Sequence, residues 1–134
     1  MTGFAADWLA LRRPADARAQ DPGLRARLAA HLAGRDRLIV LDLGAGTGAG
    51  LALTAPHLPG PQHWRLVDDD PGLLARAVPP VGATVERLSR DLSGGVGPLL
   101  DPVPDVVTAA AFFDLAGREW VASLARALAA TRVP

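Results

Sequence analysis

The sequence predicts one α/β domain, a parallel sheet of short buried strands alternating with helices. Three observations carry that prediction. Near residue 38 the apolar pattern changes from helical spacing to short, nearly continuous runs, the pattern of strands covered on both faces. The first such run is Leu38–Leu43. Further strands are expected at Trp64–Asp68, at Ala83–Leu88, where apolar and polar residues alternate, and at Asp105–Ala111, with helical or Gly/Pro-punctuated segments between them. The length, 134 residues, suits one domain burying roughly two-thirds of the surface of its unfolded chain.

The elements follow in order. Residues 1–37 read as a helical segment. Phe4, Trp8 and Leu11 share one face, and Pro14 is expected to stop that turn. A second helix has Asp21 as its cap, Pro22 in its first turn and Gly34 after its end, with Leu24, Leu28 and Leu32 as its apolar side. After the first strand, a glycine-rich turn leads into a helix around Leu51-Ala52-Leu53 that Pro56 and Pro59 end. The second strand leads into a helix from Pro71 to about Ala77. A Gly/Pro-rich loop from Ser93 to Pro104 precedes the fourth strand, and a last helix, Gly117 to Ala130, carries Trp120, Leu124 and Leu128 in one stripe. The chain ends at Arg132-Val133-Pro134, where a doubly wound sheet would continue. It therefore reads as the N-terminal half of a larger domain, or a minimal version of one, whose fourth strand presents an unpaired edge.

Composition closes several routes. Fourteen basic and fourteen acidic residues give a formal net charge of +0, against a strong electrostatic binder of nucleic acid or membrane surfaces. With no cysteine there is no disulfide framework, thiolate zinc site or thiol nucleophile. All the basic residues are arginine, and tyrosine is absent, which removes a Schiff-base lysine and a tyrosine acid. No apolar stretch approaches the ~20 residues that span a bilayer. Asp7, Arg12 and Arg13 break up the N-terminus too early for a signal peptide, so the expected location is the cytoplasm. His31, His57 and His63 form no metal-ligand spacing, and no metal is expected.

The chemistry concentrates at Asp42-Leu43-Gly44-Ala45-Gly46-Thr47-Gly48, between a strand and a helix. Glycines in such a turn allow positive φ and close approach to the backbone, at the strand ends where nucleotide-like ligands bind. Two ligand classes compete. Gly44, Gly46 and Ala49 satisfy the dinucleotide pattern G-x-G-x-x-A. Asp42, however, places a carboxylate two residues before the first glycine, which suits an ammonium or sulfonium group and repels a pyrophosphate. Asp68, twenty residues after Gly48 at the end of the second strand, can accept both hydroxyl hydrogen bonds of a ribose.

These residues resemble the class I S-adenosylmethionine-dependent methyltransferases, whose first motif reads acid-x-Gly-x-Gly-x-Gly. Asp42, Gly44, Gly46 and Gly48 match it position by position, and Leu66-Val67-Asp68-Asp69-Asp70-Pro71 resembles the family's second-strand motif. The resemblance runs from about Leu38 to the end of the chain and is specific for the cofactor. It implies a Rossmann-like sheet of order 3-2-1-4 with helices on both faces. It also implies S-adenosyl-L-methionine as cofactor and transfer of its methyl group to an acceptor. Implied cofactor contacts are Asp42 and Gly44, Ala45, Gly46 and Gly48 at the methionine end, Asp68 at the ribose, and Asp69, Asp91 and Leu92 at the adenine. Thr108 to Phe113, at the end of the fourth strand and with Ala109 as a cofactor contact, are expected where donor meets acceptor.

Asp70, before Pro71, reads instead as a helix cap. Asp91 has an ordinary loop acid as its alternative, and Phe112 and Phe113 are candidates for either the site or the core. Arg12 and Arg13 are either carboxylate ligands or a solvated pair. Family members acting on exocyclic amino groups of bases carry Asn/Asp-Pro-Pro-aromatic where this chain has Ala109-Ala110-Ala111-Phe112-Phe113-Asp114. That departure counts against such an activity and leaves the acceptor undefined, the neutral charge favours a small molecule over RNA, and no catalytic base stands out. The alternatives are an NAD(P)-dependent oxidoreductase and a non-catalytic cofactor-binding fragment.

Overall fold

In a computed structural model, which describes residues 5–134, four strands form one parallel sheet of order β3-β2-β1-β4. They are β1 (Leu38–Leu43), β2 (Gln62–Asp68), β3 (Ala83–Ser89) and β4 (Val106–Ala109). Strand β1 pairs with β2 from Leu38↔Gln62 to Leu43↔Val67 on one side, and with β4 from Val40↔Val106 to Leu43↔Ala109 on the other. The chain thus begins in the middle of the sheet, adds two strands in one direction and then crosses to the other side. This is a Rossmann-like α/β fold, and its switch point lies between the carboxyl ends of β1 and β4.

The apolar runs work as period-two patterns read on both faces. Val40, Trp64 and Leu66 point to one face, where Leu32 from α2 (Pro22–Leu32) and Leu51 from α3 (Ala49–Thr54) cover them. Leu41, Leu43 and Val67 point to the other, beneath Leu124 of α5 (Arg118–Thr131), Leu99 and Leu100. The expected stripe of α5 is thereby buried at Leu124, with Trp120 and Leu128 packed beside it. Gln62, buried in β2, donates to the carbonyls of Ala55 and Leu58 and accepts from the Trp64 indole. It satisfies the 3₁₀ turn Ala55–His57 that extends α3 through Pro56.

Several boundaries differ from the sequence reading. Pro14 does not stop the first helix: α1 runs Ala6–Ala19 with Pro14 inside it. The proline leaves the Ala10 carbonyl without a helical donor, but Ala10 is exposed and water can serve it. The face of Trp8 and Leu11 is not an inner face, since they are 47% and 81% exposed; Phe4 lies outside the described residues. In α2 Asp21 caps through Gly23 and Leu24, yet Leu24 is exposed and only the Leu28–Leu32 end packs inward. Strand β2 starts two residues early. Helix α4 is a single turn, Pro71–Leu74, capped by Asp70 through Gly72 and Leu73. The Ser93–Pro104 loop holds two 3₁₀ turns, Leu92–Gly94 and Gly97–Leu100. On the outer edge of β4, the Val107 N–H donates to the Pro134 carbonyl at 2.9 Å.

Candidate functional site

The turn after β1 is shaped by the protein's own close approaches. Gly44 has φ +67°, and a Cβ there would meet the Phe112 ring at 2.5 Å. Gly48 has φ +84°, and its Cβ would meet the Ala77 side chain at 2.9 Å. Both positions exclude any other residue, on backbone grounds and on space. The space a side chain would need at these two glycines is taken by Phe112 and Ala77. Gly46 keeps a different role: its N–H donates to Asp68 Oδ2 at 2.8 Å, tying the turn to the end of β2.

Above this turn opens a cavity of about 420 Å³. Its floor is Asp42, Gly44, Ala45, Gly46 and Thr47, one side is Asp68, Asp69 and Leu73, and another is Leu92, Ala110, Ala111 and Phe112. Ala111, at φ +52°, is one of two non-glycine residues with positive φ among those described; this left-handed step precedes Phe112, whose ring lies against Gly44. The roof is a face of α1 and its C-cap, Leu9, Arg12, Asp16 and Gln20, of which only Arg12 was a sequence candidate. Their spacing of three and four residues was the available signal, overshadowed by the larger Trp8 and Leu11. Arg12 pairs with Asp16 at 3.1 Å and lies 4.9 Å over the Trp8 ring.

Asp42 is 2% exposed at the end of β1. Oδ1 accepts from the Thr108 hydroxyl of β4 at 2.7 Å, and Oδ2 lies beside Gly50, where a Cβ would stand 3.1 Å away. Burial pushes its carboxyl up to about 7, the Thr108 hydrogen bond opposes this, and the Asp68 charge adds to it. Thr108 lies in the segment expected to line the site, but its pairing with Asp42 had no local signal, because the two are 66 residues apart.

Asp68 is half-buried. Oδ2 accepts from Gly46 and Oδ1 from the Asp70 N–H at 3.0 Å. Burial raises its pKa, the Asp70 and Gly46 amides pull it back, and Asp69 raises it again. Each oxygen retains a lone pair for a further donor.

The other expected residues divide. Ala45, Asp69 and Leu92 line the cavity; Gly48, Asp91 and Ala109 are not among the lining residues. Asp91 is exposed and caps the turn Leu92–Gly94 by accepting from the Ser93 N–H at 2.9 Å, which holds its carboxyl below the usual range. No protein-family model and no curated protein matches the sequence. The site must be read from its own chemistry.

Four aspartates and two arginines line the cavity, and one arginine is already paired with an aspartate. The excess is anionic, and two of the acids are raised by burial and by their neighbours. Such a cleft favours a cation. Among the described residues no group of three ligating side chains is placed to hold a metal, and no helix is long and apolar enough to cross a membrane.

Proposed function

We propose that the chain binds S-adenosyl-L-methionine and transfers its methyl group to a small-molecule acceptor. The observation that carries this reading is the placement of Asp42 and Asp68 on the ends of neighbouring strands in one partly apolar cavity beside the glycine turn. When bound, the sulfonium supplies a methyl group on an already activated leaving group. Asp42 would offset its charge, and the free lone pairs of Asp68 would accept from the ribose hydroxyls. Leu73, Leu92 and Phe112 would hold the adenine and exclude water. The contribution of the protein is alignment of donor and acceptor, worth several kcal/mol. A pyrophosphate would face the same carboxylates unfavourably, which weighs against an NAD(P)-dependent oxidoreductase.

The test is calorimetric titration with S-adenosylmethionine, S-adenosylhomocysteine and NADH. Both sulfur ligands should bind and NADH should not. Binding of NADH alone would remove the proposal.

A further inference from the structure

A second cavity, of about 330 Å³, lies on the other side of Thr47, lined by Ala6, Ala10, Arg13, Thr47 and Arg76. Its charge is opposite to that of the main cavity: two guanidinium groups and no carboxylate. Arg12, Arg35 and Arg65 each pair with an acid, whereas among the described residues neither Arg13 nor Arg76 does. Arg13 donates one long bond, Nη2 to Thr47 Oγ1 at 3.4 Å, and its Nε is buried with no partner. A desolvated guanidinium N–H without an acceptor is costly, and the planar fork of arginine is suited to a tetrahedral or carboxylate oxyanion.

We propose that Arg13, Thr47 and Arg76 form a binding site for a phosphate group, separate from the main cavity. Two positive charges match a dianion. The Arg13 guanidinium and the Thr47 hydroxyl supply donors from the inner side, and the exposed Arg76 closes from solvent. The phosphate is either a free ion or a phosphoryl group carried by a small molecule; the chemistry recognised is the same. The site does not depend on methyl transfer.

The experiment is titration of inorganic phosphate into the full chain at constant ionic strength set with chloride, followed by calorimetry and thermal shift. Saturable binding is expected, weakened about tenfold in Arg76→Gln and in Arg13→Gln, as for loss of a charge-assisted hydrogen bond. It should be unchanged in Arg126→Gln on α5. Arg76→Gln decides the matter, because its exposed side chain has no hydrogen bond among those described and the variant keeps the fold. Glycerol 3-phosphate binding more tightly than phosphate, with the gain lost in Arg76→Gln, would assign a ligand-borne phosphoryl group; equal binding would assign the free ion. Either upholds the site. Phosphate affinity untouched by Arg76→Gln, or equally weakened by Arg126→Gln, overturns it. So does a tenfold loss of S-adenosylhomocysteine affinity in Arg76→Gln, which would give the arginines to the carboxylate of that ligand.

Discussion

Asp42 and Asp68 end adjacent parallel strands, yet the fold treats them differently. Asp42 is sealed in, with one hydroxyl partner, and its carboxyl titrates near neutrality. Asp68 is half open and braced by two backbone amides, one of them from the glycine turn. Two residues of one type, a strand apart, therefore divide the work: one is a charge held at a desolvation cost, the other a bracket that also orders the turn. The lesson is that an acid's position at a strand end fixes its location, while its neighbours fix what it can do.

The sharpest way to break this contrast is to neutralise the sealed acid. Since the folded pKa of Asp42 lies above its unfolded value, the folded state holds more protons between the ordinary carboxylate range and pH 7. Stability then falls as pH rises through that window, by an amount of order 4 kcal/mol. Asp42→Asn keeps an acceptor for Thr108 and removes the charge. It should flatten the pH profile of denaturant unfolding and be the more stable protein at pH 8. An unchanged profile would mean that Asp42 is not the titrating group.

The turn itself is tested next. Gly44→Ala places a methyl in the Phe112 ring at a left-handed position, and a loss of about 2–3 kcal/mol in urea unfolding is expected. Asp68→Ala should weaken S-adenosylhomocysteine by about 1.5–3 kcal/mol in calorimetry, the scale of charged hydrogen bonds. In wild type, S-adenosylmethionine affinity should rise with pH as Asp42 ionises near 7, while the uncharged thioether ligand responds less. Asp91→Ala should have the smallest effect, leaving affinity for both ligands within about twofold, because its carboxylate serves the Ser93 amide outside the cavity.

How much of this was legible in the sequence follows from the range of the interactions involved. Strands β1 and β2 declared themselves because strands buried on both faces need continuous apolar runs, β3 on the sheet edge showed itself by alternation, and the sheet order is the one anticipated. Asp42, Gly44, Gly46 and Asp68 stand in a local motif and line the cavity, whereas Gly48 of the same motif packs on Ala77. Asp91 carried the same kind of local signal, yet the bland alternative, a capping acid, describes its contacts. The bond from Thr108 to Asp42, the Leu9 and Asp16 part of the roof and the seat of Phe112 on Gly44 were hidden because each depends on residues brought together from far along the chain. Pro14 misled for a different reason: a missing donor matters less where the orphaned carbonyl faces water.

Helix α1 has no buried residue, although it roofs the cavity. A wall with so little apolar anchorage has a small free energy of detachment, far below that of the sheet beneath it. Ligand access can then proceed through local opening, with α1 as a hinged cover over a rigid floor. Occupancy of the cleft should slow amide hydrogen exchange along Ala6–Ala19 while leaving that of β1 unaltered.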